Sequence, residues 1–267
     1  MTIAAEFLFR FVRKVLPPRD PRLYAFCKGY VDRFNGENDG EMRSNGELLF
    51  MKKNLPGCRI VFDIGANIGQ WSYLALQLNP AIELHCFEPS QSFNILSARF
   101  QSHPNVICNR IGMGEEPGES RLWLFDQNSG LNSLYRRAGL EGLGLARPAR
   151  SELIRMETVG RYCATRRIGE IDYCKVDVEG HELAVLKGMR KMLSSGRVKI
   201  IQFEYGGTFI DARVLLKDLF EFFADLPYSL HKIYPDRARP VSRYSQSLEN
   251  FQYQNWVGVA WDHRVRM

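Results

Sequence analysis

The chain has 267 residues, 45% hydrophobic and 25% charged, which is the ordinary make-up of one large globular domain or of a domain with an appendage. Its net charge of +6 is compatible with an acidic substrate, nucleic acid or an anionic membrane surface, and diagnostic of none of them. Six scattered cysteines form no C-x-x-C or Cys/His cluster and read as reduced thiols, so a cytoplasmic location is expected, and five dispersed histidines advertise no metal site.

Residues 1–16 place Ile3, Phe7, Leu8, Phe11, Val12 and Val15 at helical spacing, with Arg10, Arg13 and Lys14 largely on the other face. The segment is too charged to span a membrane and lacks a signal peptide's apolar block. Such a helix can lie peripherally in a membrane interface, at the inner face, or pack on its own domain or a dimer mate. Pro17-Pro18 and Asp20-Pro21 end it. A helix from Leu23, a polar loop over residues 35–46 and a helix over residues 46–54 complete a leader able to cap a ligand crevice.

The stretch Arg59 to Tyr73 is the most informative. An apolar, β-rich run ends in Asp63, a loop of small residues follows (Gly65, Ala66, Asn67, Gly69), and Trp71, Leu74, Ala75 and Leu78 recur at helical spacing. Strand, tight turn and helix is the unit that seats nucleotide-like ligands in open α/β sheets. A dinucleotide site wants G-x-G-x-x-G, with its middle glycine admitting a pyrophosphate. Here that position is Asn67, and the nearby acid suits a cation such as the ammonium and sulfonium of S-adenosylmethionine. The next strand, Glu83 to Glu88, is a mostly apolar run that ends in this carboxylate and is stopped by Pro89, and Glu88 stands 23 residues after Gly65. An acid about 20 residues beyond the turn is where a ribose diol is gripped.

A helix over residues 91–101 and a strand over residues 105–111 come next. Residues 112–120 are read as a turn and residues 121–125 as the returning strand of a hairpin. Residues 126–133 are polar, and residues 136–150 read as a mobile loop whose Arg136, Arg137, Arg147 and Arg150 are either solvated or contacts for an anionic substrate group. A second informative block follows: an apolar run from Ile171 ends in Asp177, with Glu179, Gly180, His181 and Glu182 next. An amphipathic helix over residues 182–193, a strand over residues 199–205 ending near Glu204, and a helix over residues 211–226 are expected. A segment over residues 228–234 and a strand over residues 253–261 close the pattern. Alternating strands and helices describe a doubly wound, mostly parallel α/β sheet of about seven strands, with an antiparallel last strand and an N-terminal helical extension. The expected boundaries are residues 1–57 for the extension, 58–262 for the domain and 263–267 for a tail.

Together, Asp63-Ile-Gly-Ala-Asn-Ile-Gly69, Phe87-Glu88-Pro89, Ser129 to Leu134, Lys175 to Glu182, Val185 to Gly188 and Phe203-Glu204 resemble the FkbM-type family of S-adenosylmethionine-dependent methyltransferases. The resemblance implies a class I (Rossmann-like) methyltransferase fold. It implies that Asp63, Gly65, Asn67 and Gly69 line the methionine moiety and that Glu88 holds the ribose. It further implies O-methylation of a hydroxyl on a sugar, glycan, glycolipid or secondary metabolite. The long leader and the Gly/Arg-rich insert over residues 136–150 depart from the family pattern, so the acceptor rests on them.

Methyl transfer to oxygen needs in-line positioning and a base for the hydroxyl proton. His181 and Asp177, at the mouth of their strand, are the candidates, while Glu179 and Glu182 can equally serve the first turn of the next helix. A divalent metal held by Asp177, Glu179, His181 and Glu204 is the alternative chemistry. Rival readings are an NAD-dependent oxidoreductase or epimerase on the same sheet, and a non-catalytic nucleoside-binding module. No Asn/Asp-Pro-Pro-Tyr-like block grips a base amine, so nucleic acid is not expected as a partner.

Overall fold

The computed structural model describes residues 3–15, 19–125, 130–139 and 148–263. The leader contributes helices α1 (Ile3–Val15), α2 (Pro21–Asn35) and α3 (Glu47–Asn54). The sheet then begins with β1 (Ile60–Ile64), α4 (Gln70–Leu78), β2 (Glu83–Phe87), α5 (Ser92–Phe100) and β3 (Val106–Asn109). Strands β4 (Gly112–Met113), β5 (Gly118–Leu124) and β6 (Arg150–Glu157) precede helix α6 (Val159–Arg166) and strand β7 (Ile171–Val176). Helices α7 (Glu182–Gly188) and α8 (Arg190–Ser194), strand β8 (Val198–Tyr205), and helices α9 (Thr208–Ala212) and α10 (Leu216–Ala224) follow. Strands β9 (Tyr228–Ile233), β10 (Ala238–Pro240) and β11 (Gln254–Ala260) complete the chain.

The large sheet has eight strands in the order β10-β9-β11-β8-β7-β1-β2-β3, one more than expected because short β10 adds an edge. Neighbours from β8 to β3 are parallel, and β11 runs antiparallel to both β8 and β9. The chain builds outward from β1 through β2 to β3, then restarts on the other side with β7. That reversal opens a crevice at the carboxyl ends of β1 and β7, where such sheets bind ligands. It is the class I methyltransferase arrangement.

Period-two alternation places the core on both faces. Val61, Leu84, Tyr173, Ile200 and Val257 pack with Phe50, Met51 and Leu55 of the leader and with Trp71, Ala75, Leu96 and Phe100 of α4 and α5. The alternate residues Phe62, Ile64, Phe87, Val176, Phe203 and Trp256 face α6 through α10. Near-continuous apolar runs in β1, β7 and β8 follow from burial on both faces.

Three expectations need correction. Residues 121–125 do not return on residues 105–111: β3 stays in the large sheet, while β5 pairs antiparallel with β6 in a separate sheet of order β4-β6-β5. The partner lies some 30 residues downstream, so no local turn announces it. The helix expected over residues 182–193 breaks at Met189, and the one over residues 211–226 breaks after Arg213, which adopts the left-handed conformation with φ of 57°. Of the insert's arginines, Arg150 opens β6 and Arg147 lies outside the described residues, as do residues 126–129.

Candidate active site

The site is organised by register. Asp63 on β1 is level with Lys175 on β7, and Lys175 with Gln202 on β8, so one row of polar side chains emerges on the α3/α4 face of the sheet. Two residues further along, Asp177 and Glu204 leave their strands on the same side. Lys175 Nζ lies 3.2 Å from Asp177 Oδ2, 3.0 Å from Glu204 Oε1 and 3.5 Å from Glu47 Oε1. Burial opposes its charge, but these three carboxylates outweigh it and hold the ammonium well above its usual range. Glu204 also accepts from the Tyr253 hydroxyl at 3.0 Å. Asp63 accepts from Ser72 Oγ of α4 at 2.5 Å.

Three carboxylates therefore share one ammonium, with Asp63 a fourth acid in the same row. Burial pushes Asp63 up to about 7, and burial together with the charge of Asp177 pushes Glu204 up to about 8. The cluster is short of positive charge at neutral pH.

The loop after β1 is held by backbone. The Gly65 and Ala66 amides both donate to Phe87 O, and the Asp177 amide donates to Ile64 O. Gly65 has φ of 87°, and a Cβ there would stand 1.7 Å from Asp177 O, so only glycine lets β1 and β7 close at this point. Asn67 also takes a left-handed φ of 47°, and its amide donates to Glu88 Oε2 at 2.9 Å. The other oxygen, Oε1, accepts from the Ser90 amide at 2.8 Å. Burial raises the Glu88 pKa, opposed by those two amides. Each oxygen keeps lone-pair capacity for a further donor.

Two cavities open on this loop. The first holds about 790 Å³ of empty space including its open mouth. Glu88 and Pro89 line one side, the small sheet supplies Met113, Leu122, Ile154 and Met156, and His181 stands at another wall. The second holds the acid cluster: Glu47, Asp63, Lys175, Asp177, Glu204 and Tyr253, with Gly40 and Met42 of the leader. Gly65, Asn67 and Asp177 line both. Asp63 and Glu88 thus lie in neighbouring cavities joined at the glycine loop.

His181 precedes α7. Its Nδ1 lies 2.9 Å from the Tyr135 hydroxyl, and its Nε2 approaches Gly114 so closely that a Cβ there would stand 3.0 Å away. Burial pushes its pKa down to about 4, which keeps the imidazole neutral at neutral pH. Glu179 is paired with Arg137 at 3.1 Å, and Glu182 Oε1 accepts from the Val178 and Gly180 amides.

The structure therefore brings Gly65, Asn67, Glu88, Asp177, Glu179 and His181 to the first cavity and Asp63 and Glu204 to the second, whereas Gly69, with φ of 79°, is wedged against Leu96 and Phe100. Among the described residues, no group of three or more His, Cys, Asp or Glu is arranged to hold a metal ion, so Asp177, Glu179, His181 and Glu204 do not form the ligand set considered from sequence. Arg137 meets Glu179 instead of standing open to an anion. Sequence reasoning missed Lys175, Glu47, Tyr253, Trp71 and Tyr135. A lysine inside an apolar strand two positions before Asp177 was the available signal for a buried ion pair; Glu47, Tyr253 and Tyr135 come from distant segments with none.

Comparison with known proteins places the chain. The methyltransferase FkbM domain profile matches residues 63–230, more than half of its length. The chain is 27% identical over 155 residues to 31-O-demethyl-FK506 methyltransferase FkbM of Streptomyces tacrolimicus, covering 49% of this chain and 59% of that protein. It is 31% identical over 161 residues to methyltransferase sdnD of Sordaria araneosa, covering 51% and 62%. The chain thus spans about three fifths of each curated relative. Among solved structures it is similar to methyltransferase FkbM from Methylobacillus flagellatus KT, with 16% identity, a TM-score of 0.46 and coverage of 75% of this chain and 43% of that one. It is also similar to an O-methyltransferase from Bacillus cereus in complex with SAH, with 12% identity, a TM-score of 0.42 and coverage of 94% and 96%. The profile match, over the segment that carries the glycine loop, Glu88 and Asp177, sets aside the oxidoreductase reading. The chain belongs to the FkbM methyltransferase family.

Proposed function

We propose that this chain is an S-adenosylmethionine-dependent O-methyltransferase acting on a hydroxyl of a sugar, glycan, glycolipid or other small molecule, in a reducing, cytoplasmic setting that suits its six unpaired cysteines. The observation that carries the reading is the pair of cavities sharing Gly65, Asn67 and Asp177, one with Glu88 and apolar walls, the other with surplus acid. These residues fit the cofactor. Glu88 has acceptor capacity for a ribose diol, and Phe87, Met113 and Met156 offer apolar cover for a purine. Asp63, Asp177 and Glu204 suit an ammonium. Trp71 Nε1, buried without a partner at the edge of the second cavity, offers a donor for a carboxylate.

When bound, the cofactor supplies an electrophilic methyl group. The chain's own residues must then hold the acceptor in the first cavity, exclude water and take its proton. His181 is the base in this reading. It is neutral, lines the first cavity and is oriented by Tyr135. Asp177, bound to Lys175, is left to face the cofactor's positive end. The O-methyl chemistry is supported by the relative's name, 31-O-demethyl-FK506 methyltransferase.

Titration calorimetry with S-adenosylhomocysteine tests the cofactor assignment. Glu88→Ala and Asp63→Ala should each weaken binding at least tenfold. Filling the acid cavity with a cation should also release protons near pH 7, seen as an enthalpy that changes with the buffer. Affinities equal to the wild type in both variants would end the assignment.

A further inference from the structure

Helix α2 buries none of its 15 residues. At 3.6 residues per turn, Tyr24, Phe26, Cys27, Tyr30, Val31 and Phe34 share one side, and Arg22, Lys28, Asp32 and Arg33 share the other. The stripe is fully open: Phe26 is 75% exposed, Phe34 71%, Tyr24 68% and Tyr30 66%. Helix α1 repeats the pattern, with Phe7, Phe11 and Val15 exposed and Arg10 and Lys14 also at the surface. An exposed aromatic stripe of this length marks an interaction site.

Charge selects the occupant. The first 35 residues hold seven Lys or Arg and three Asp or Glu, so four of the chain's six net positive charges sit on this short leader. Lys28 is paired with Asp32 at 2.8 Å, while Arg22 and Arg33 stay exposed and, among the described residues, have no acidic partner. A second copy brought against the stripe would set two such basic flanks together, and like charges disfavour that seam. Anionic lipid headgroups have the opposite charge. Helices with an aromatic apolar face and a basic polar face lie in that interface, with Tyr at headgroup level.

We propose that α1 and α2 form a docking surface for an anionic lipid bilayer, their apolar faces set into its interface. This goes beyond the catalytic reading and does not depend on it. Helix α2 ends at Asn35, Glu37 is buried against Lys232, and Gly40 already lines the acid cavity. One short loop thus joins the bilayer-bound helix to the site.

The test is flotation of the full chain with vesicles of phosphatidylcholine, alone or mixed with phosphatidylglycerol. The wild type should float with the mixed vesicles only, and added salt should release it. Phe26→Ser, Tyr30→Ser and Phe34→Ser together should lower the bound fraction at least tenfold. Arg22→Gln, Lys28→Gln and Arg33→Gln together should erase the preference for phosphatidylglycerol. None of these side chains is buried, so the thermal melt and S-adenosylhomocysteine affinity should stay as in the wild type, which keeps this test apart from the cofactor assignment. Wild-type chain left unbound by mixed vesicles, or triple-serine protein that floats equally well, overturns the proposal. So does a dimer in sedimentation that the triple-serine change dissolves, since the stripe would then belong to a second copy.

Discussion

A neutral imidazole is the feature of His181 that its surroundings impose. Burial disfavours its charged form and sets its pKa about 4, and the Tyr135 hydroxyl fixes one ring nitrogen at 2.9 Å. A base of this kind is available over the whole neutral range and is lost only when acid protonates it. In the proposed mechanism, kcat with cofactor and acceptor saturating should therefore be flat through pH 6.5, the usual histidine pKa, and fall near pH 4. His181→Ala should lower kcat about 10²–10⁴-fold while leaving S-adenosylhomocysteine affinity close to wild type. A pH–rate profile and titration calorimetry on both proteins decide the matter. A limb at 6.5, or an alanine variant with full turnover, removes His181 from the chemistry.

At the start of α7 the turn is built by Glu182, whose Oε1 accepts from Val178 and Gly180 while Oε2 is buried without a partner. Burial pushes its pKa up to about 7, above the value of about 4.5 expected in the unfolded chain. The folded protein then binds more protons than the unfolded one between those values. The contribution of Glu182 to stability is greatest below about pH 4.5, declines as pH rises toward 7, and loses no more above it. Glu182→Gln keeps the accepting oxygen and cannot ionise, so it should remove about 3 kcal/mol of that decline. Urea unfolding of both proteins at pH 5 and pH 8 measures it. An equal decline in the variant would mean that the carboxyl is not the source.

The elements show where sequence is legible. Strands β1, β2, β7 and β8 announced themselves because burial on both faces forces apolar runs, and each ends near an acid at the crevice. Gly65 was readable because a tight turn between touching strands tolerates no Cβ. The small sheet was not, since β5 is completed by β6 across an insert and neither strand signals its partner. Nor was the acid cluster as a whole. Asp63 and Asp177 were visible as strand ends, but the lysine between them, and Glu47 and Tyr253 from the two ends of the chain, converge only through register.

Over the whole molecule, the leader is fastened to the far edge of the sheet by one carboxylate. Glu37 is buried and accepts from Lys232 Nζ of β9 at 3.1 Å and from Asn250 Nδ2 at 2.9 Å; nearby, the Asn38 amide donates to Tyr253 O. This clasp lies between the exposed helices and the acid cavity, and so decides whether the leader stays seated over the site. Burial lowers the Lys232 pKa and Glu37 works against that. Glu37→Ala would leave a buried ammonium unpaired, a change that costs about 3–5 kcal/mol. Replacing both partners by methionine removes both charges and should cost less than the single change, because no charge is left without its counterpart. Urea unfolding of Glu37→Met, Lys232→Met and the double variant closes the cycle, with Glu37→Ala measured beside them. If Glu37→Ala loses less than about 1 kcal/mol, the clasp is a solvated contact and the leader is seated by Glu47 on Lys175 and Gln202 and by Phe50, Met51 and Leu55.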